Sequence, residues 1–160
     1  FLGGPHRVLY ARHRLGNAPV VRIMDNGDAG YSTSGAWRTY GSAGRDGDWD
    51  YAIRSTGIGT AAWTFNNLSP GLYRVSTTWG ADSTRASNAQ FTIRAASGGA
   101  VLGSSLVNQQ LAPNDFTDQG SDWEDLKTVS IGGSTLVVEL TNAGTDQFVI
   151  ADAIRIERIG

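Results

Sequence analysis

The sequence predicts an all-β protein, an antiparallel β-sandwich of jelly-roll type with its first and last strands adjacent. Three observations predict it. Apolar and polar residues alternate over short runs, and no long window places apolar residues at i, i+3, i+4 and i+7. Turn-forming residues, including many of the 21 glycines, separate those runs. The two outermost runs each carry an aspartate in phase with their apolar face, which predicts that the ends of the domain meet.

The first strand is expected in Val20-Val21-Arg22-Ile23-Met24-Asp25, where Val21, Ile23 and Asp25 share a face. Asp25-Asn26-Gly27-Asp28-Ala29-Gly30 then turns the chain. A strand is expected at 50–54, and another in Ala61-Ala62-Trp63-Thr64-Phe65. Asn66 to Gly71 leads from it into a run whose Tyr73, Val75, Thr77 and Trp79 share a face, which reads as a hairpin with a six-residue connection. Further strands are expected at 90–96, 100–108, 127–131 and 135–141, with Gly132-Gly133 as a tight turn between the last two. Ser121-Asp122-Trp123-Glu124 has the form of a helix capping box, good for one helical turn at most. The final strand runs from Phe148 to Ile159 and places Phe148, Ile150, Asp152, Ile154 and Ile156 on one face. A carboxylate facing a core is costly unless it is paired, hydrogen-bonded or bound to a metal.

With 160 residues the chain suits one domain at 20–160, preceded by a distinct segment at 1–19. That segment holds both histidines with Arg7, Arg12 and Arg14, and reads as a basic linker or an extra edge strand through Arg7-Val8-Leu9-Tyr10. A net charge of −2 gives no ground for nucleic acid as a partner, since its binders carry a clustered basic face. With no cysteine, disulfides, thiolate metal sites and cysteine nucleophiles are excluded. Membrane insertion is not expected, because no apolar run approaches the roughly 20 residues a spanning helix needs. The start at Phe1 reads as a piece of something longer.

Four blocks carry a resemblance. They are Asp25-Asn26-Gly27-Asp28-Ala29-Gly30-Tyr31-Ser32-Thr33-Ser34-Gly35-Ala36-Trp37, Trp79-Gly80-Ala81-Asp82-Ser83-Thr84-Arg85-Ala86-Ser87-Asn88-Ala89, Val107-Asn108-Gln109-Gln110 and Val149-Ile150-Ala151-Asp152-Ala153-Ile154-Arg155. In this order they resemble the golvesin C-terminal and xanthan-lyase-type carbohydrate-binding-like domains, over roughly residues 20–159. The resemblance implies a non-catalytic accessory domain of a secreted or surface bacterial protein that binds polysaccharide, beside neighbouring domains of a larger chain. It does not explain residues 1–19 or the acidic insert Asp46-Gly47-Asp48-Trp49-Asp50. The alternative is a structural or adhesion domain of an extracellular protein with no glycan ligand.

Sugar rings stack their C–H faces on exposed aromatic side chains, and polar neighbours read the hydroxyls. Trp63 and Trp79 are in phase with core positions and are assigned to the core. Trp37, Tyr40, Trp49 and Trp123 lie in Gly-, Ser- and Asp-rich sequence and are the candidate ligand-binding rings. Trp49 and Trp123 lead, because Asp48, Asp50, Asp122 and Glu124 surround them with hydroxyl acceptors. Arg85 and Asn88 are candidate ligand-reading residues, or else they tie their own loop to neighbouring carbonyls. Jelly-roll carbohydrate modules often hold a structural calcium where the first and last strands meet, and Asp25, Asp28 and Asp152 would be its ligands here. The competing reading has Asp25 and Asp28 accepting backbone N–H groups of their turn while Asp152 pairs with an arginine such as Arg22. No cofactor is required on either reading. Catalysis is not expected, since neither a nucleophile motif nor a phosphate loop is present.

Overall fold

The computed structural model describes residues 20–54 and 57–160, so the basic segment expected at 1–19 lies outside the described residues. Thirteen strands follow one another: β1 (Val20–Asp25), β2 (Tyr31–Ser34), β3 (Arg38–Tyr40), β4 (Trp49–Ala52), β5 (Thr60–Phe65), β6 (Gly71–Thr78), β7 (Ala89–Arg94), β8 (Val101–Val107), β9 (Phe116–Asp118), β10 (Ser121–Ile131), β11 (Leu136–Thr141), β12 (Val149–Ala151) and β13 (Ala153–Arg158). Among the described residues a single 3-10 turn, Arg45–Gly47, sits between β3 and β4.

The strands form two five-stranded sheets, ordered β1-β13-β6-β10-β9 and β2-β5-β11-β7-β8, and a small sheet β12-β4-β3. Among the described residues every strand ladder is antiparallel, and an isolated parallel bridge joins Arg85 to Phe148. The first and last strands pair directly, from Val20 opposite Arg158 to Asp25 opposite Ala153. This is the jelly-roll type of β-sandwich. Alternation sets the core: Ala61, Trp63 and Phe65 of β5 are buried while Thr60, Ala62 and Thr64 are half-buried. Opposite them the buried residues include Tyr73, Val75, Val129, Ile131, Ile154 and Ile156.

Two local expectations fail in the same way. β5 and β6 do not pair as a hairpin: β5 joins β2 and β11, and β6 joins β13 and β10. Nor do β10 and β11 pair across Gly132-Gly133, because they too belong to opposite sheets. Both turns are arches that carry the chain over the core, so each pair of apolar faces meets face to face rather than edge to edge. A third correction concerns the capping-box pattern at Ser121–Glu124, which opens β10 and is no helix. Its entry is the β9–β10 hairpin, turned by Gln119 and Gly120 at φ 49° and 77°. Those paired positive angles suit a two-residue hairpin turn.

The final strand is not continuous. β12 belongs to the small sheet and β13 to the first large sheet, with Asp152 as the residue between them. As a result every residue from Val149 to Ile156 is buried, on both faces of the run.

Candidate functional site: an aromatic cleft beside a buried carboxylate pair

Pairing of β3 with β4 sets Tyr40 opposite Trp49 and Arg38 opposite Tyr51. The Tyr40 and Trp49 rings stack, with centroids 5.2 Å apart and planes at 23°. Trp49 and Tyr51, two residues apart on β4, share a face. Tyr51 meets Phe148 edge-on at 5.9 Å. The Arg85 guanidinium carbon lies 5.4 Å from the Trp49 ring centre. Together these groups wall a cleft of about 400 Å³, completed by Ala43 and Ile150. Tyr40 is its most open ring, 47% exposed, whereas Trp49 is 7% exposed and forms the floor.

The loops that meet here are fastened by backbone and amide groups. Gly80 passes so close under the indole that a β-carbon there would stand 2.5 Å from the Trp49 ring. Gln109 is fully buried; its amide donates to the Ile150 carbonyl and accepts from the Ile150 N–H, both at 2.9 Å. Gln110 donates to the Arg85 carbonyl at 3.0 Å, and the Ala86 N–H donates to the Phe148 carbonyl at 2.6 Å. Arg85 Nε donates to the Gly80 carbonyl and Nη1 to Thr84 Oγ1. The guanidinium is thereby held at the rim.

Of the residues expected from sequence, the cleft brings together Tyr40, Trp49 and Arg85. Trp123 is a correction: it is fully buried, and its indole N–H donates to the Asp118 carbonyl at 3.0 Å. The apolar ring fills the space under the β9–β10 hairpin, where a sugar has no access. Trp37 is half-buried and donates to the Ser34 carbonyl at 3.0 Å, outside the cleft lining. Asp50 alternates to the far face of β4, where its two oxygens accept from the Tyr31 and Thr39 hydroxyls at 2.8 and 2.7 Å. Burial and this bond to Asp50 push the Tyr31 phenol well above its usual range. Asp48 lies just before β4 and is not part of the cleft wall. Asn88 ties its loop to the 144–146 turn, donating to the Gly144 carbonyl and accepting from the Asp146 N–H, each at 3.0 Å. Sequence reasoning missed Tyr51, Phe148 and Gln109. Tyr51 carried a signal, its two-residue spacing from Trp49; Gln109 lay inside one of the four family blocks.

Beside the cleft, Asp25, Asn26 and Asp152 converge where β1 meets the break between β12 and β13. They are 4%, 6% and 2% exposed. The Asn26 N–H donates to the Asp152 carbonyl at 2.7 Å, and Asp152 Oδ2 accepts from the Arg45 N–H at 3.1 Å. Oδ1 of each of the three side chains is buried without a hydrogen-bond partner among the described residues. Burial raises both carboxyls above the usual carboxylate range, Asp25 the more strongly because Asp152 adds to the effect. No cluster of three acidic or histidine ligands exists among the described residues; the group is two carboxylates and an amide. Asp28 is not free to join it at Oδ2, which accepts the Asp25 N–H at 2.8 Å and closes the turn. Arg22 is no partner of Asp152 either, since it donates to the Asn66 carbonyl. A second cavity, of about 600 Å³, reaches Asp152 and is lined by Gly44, Arg45, Asp46 and Trp49 among others. Trp49 therefore separates the aromatic cleft from the carboxylate pair.

A jelly-roll sandwich with an aromatic cleft among its loops defines the class. The chain belongs to the Golvesin C-terminal domain family, whose model matches residues 22–158. Among solved structures it is similar to part of a Paenibacillus xanthan lyase, with 28% identity and a TM-score of 0.70 over 88% of this chain and 13% of the lyase. The chain thus spans a small fraction of that enzyme. It also shares its fold with the C-terminal family 6 carbohydrate-binding module of LamC, a marine laminarinase from Zobellia galactanivorans, at 15% identity, TM-score 0.59, and coverage of 87% and 100%. The family 35 module from Cellvibrio japonicus Abf62 shares the fold at 13% identity, TM-score 0.58, and coverage of 88% and 94%. No curated protein matches the chain. None of the helices in the described residues is long and apolar enough to cross a membrane.

Proposed function

We propose that this domain is a non-catalytic accessory module that binds polysaccharide outside the cell, with the aromatic cleft as its binding site. The observation that carries this reading is the grouping of Tyr40, Trp49, Tyr51 and Phe148 around one open cleft. Tyr40 offers the accessible ring face on which a sugar's C–H face can stack, while Trp49 backs it from beneath. The fold shared with carbohydrate-binding modules supports the reading. Binding is expected to be modest, because a shallow cleft buries little area and sugar hydroxyls exchange water for protein partners.

The three orphaned oxygens fit a hard cation. Calcium takes carboxylate, amide and backbone oxygens, and Asp25, Asn26 and Asp152 supply such donors, with the second cavity as an entry path. Bound there, it would neutralise the buried pair and pin the 44–48 loop to the last strand. Asp28 would hold the turn without being a first ligand.

The test is retention of the isolated domain on soluble and insoluble polysaccharides, with calcium and with EDTA. Tyr40→Ala is expected to abolish retention on a glycan that the wild type binds, in a domain that still folds cooperatively with its melting temperature lowered by only a few degrees. Failure of the folded wild type on a broad panel would sink the binding reading and leave a structural role in a larger surface protein.

A further inference from the structure

We infer that the cleft selects carboxylated glycans, with Arg85 as the residue that reads the acidic group; this rests on the cleft being the glycan site. The guanidinium lines the cleft and lies over the Trp49 ring. Only Nε and Nη1 have hydrogen-bond acceptors among the described residues, and both are neutral oxygens. No carboxylate lies within ion-pair distance of Arg85 among those residues. Arg74, Arg94 and Arg155 each have an acidic partner, whereas Arg22, Arg38, Arg45 and Arg158 share with Arg85 the lack of one among the described residues; of these arginines it is Arg85 that lines the aromatic cleft. A cation fixed at the rim of an apolar cleft, with a donor edge to spare, matches a planar carboxylate by charge and by fork geometry.

Among the described residues no neighbouring acid forms an ion pair with that guanidinium, and Asp82 feels its charge at longer range. Asp50 is turned to the other face of β4 and occupied by two hydroxyls. Asp146 is occupied by the Ser87 N–H and hydroxyl. Asp82 is exposed and accepts from the Thr84 N–H and hydroxyl, capping the loop that carries Arg85. The ligand this arrangement fits is a sugar whose ring covers Tyr40 while an equatorial carboxylate, such as that of a uronic acid, reaches Arg85. Attraction by the whole domain is not the cause, since the chain is net acidic at −2.

The test compares one uronate-containing polysaccharide with its carboxyl-reduced form, which keeps the sugar backbone and loses the charge. Polyglutamate serves as a polyanion without sugar. Affinity electrophoresis and calorimetry would be run on the full chain, on Arg85→Gln, on Arg85→Lys, and on a variant with Arg7, Arg12 and Arg14 all changed to Gln. The expected result is a loss of about tenfold or more on carboxyl reduction, matched by Arg85→Gln on the native polymer and only partly restored by Arg85→Lys. Arg85→Gln should weaken binding to the reduced polymer far less than binding to the native one. Equal binding of native and reduced polymers would overturn the inference and leave the glycan site standing. Equal binding of polyglutamate, lost in the triple arginine variant, would assign the attraction to the basic segment and also overturn it. Retention of no polymer by the folded wild type would remove both readings together.

Discussion

The outer surface of the first large sheet and the junction of its first and last strands solve the same electrostatic problem differently. On the sheet surface the two arginines at its centre, Arg155 and Arg74, each have a counter-charge. Arg155, nearly buried, reaches Asp118 at 2.8 Å and Glu157 at 2.9 Å, and Arg74 takes Asp125 in a two-pronged bond at 2.8 and 2.9 Å. Phe116 lies between the two guanidinium groups, 3.9 Å from Arg74 and 4.9 Å from Arg155. At the strand junction two carboxyls are more deeply buried, with one backbone N–H for Asp152 Oδ2 and nothing for either Oδ1. The paired network is complete as it stands. The junction is complete only with a proton or a cation, and that difference can be tested.

The largest effect is expected from the paired side. Arg155→Ala leaves Asp118 without its partner and Glu157 with only Arg74 at 4.0 Å, and should cost about 3 kcal/mol in urea denaturation, toward the lower end for a buried pair because Asp118 is partly exposed. Next comes calcium. At a hundredfold excess over its dissociation constant it should add about 2.7 kcal/mol. For a domain of this size that is a rise of about 5–10 °C in melting temperature, reversed by EDTA. No rise in the wild type would break the comparison, because the junction would then be a proton site alone.

The third prediction concerns pH in calcium-free buffer. Both junction carboxyls have folded pKa values raised above their unfolded ones. Their contribution is therefore fully present below about pH 4 and lost as pH rises through the shifted values. A melting-temperature profile should fall across that window, and saturating calcium should flatten it or reverse it. Asp152→Asn should be more stable than wild type by about 2 kcal/mol at alkaline pH without calcium, and should lose the response to calcium. The smallest effect belongs to Arg74→Ala. Its pair with Asp125 is about a third exposed on both sides, so a loss of only about 0.2–1 kcal/mol is expected, reduced further in high salt.

How far these features were legible in the sequence depends on whether they are local. Strand existence was legible, since the alternation in β1, β5, β6 and β11 comes from the pleat itself. Strand partners were not. The turns at 66–71 and 132–134 would serve a hairpin or an arch equally, and only the packing of distant β11 on β5 and of β10 on β6 decides. β9 escaped notice because its turn is Gln119-Gly120, where Asn-Gly is the familiar signal for paired positive φ. Asp152 stood out because a carboxylate in an apolar run violates the core pattern. Its companion Asn26, a polar residue in a turn, violated nothing. Exposure of the tryptophans failed for a related reason. Acidic and glycine-rich surroundings describe the backbone near Trp123, but its ring is fully buried, with the Arg45 guanidinium over it from the β3–β4 connection, much earlier in the chain.

The pairing of β1 with β13 also sets how the domain carries load. Val20 and Arg158 are opposite each other at one end of that ladder. Tension applied between them pulls at right angles to the strands and opens the rungs one at a time, as a zipper opens, instead of shearing all of them together. The run ends at Asp25 and Ala153, where the Asn26 N–H grips the Asp152 carbonyl and the carboxylate pair lies. The carboxylate junction is thus the stop at the end of the zip, and a cation held there would raise the force at which the sandwich comes apart without altering the rungs that lead to it.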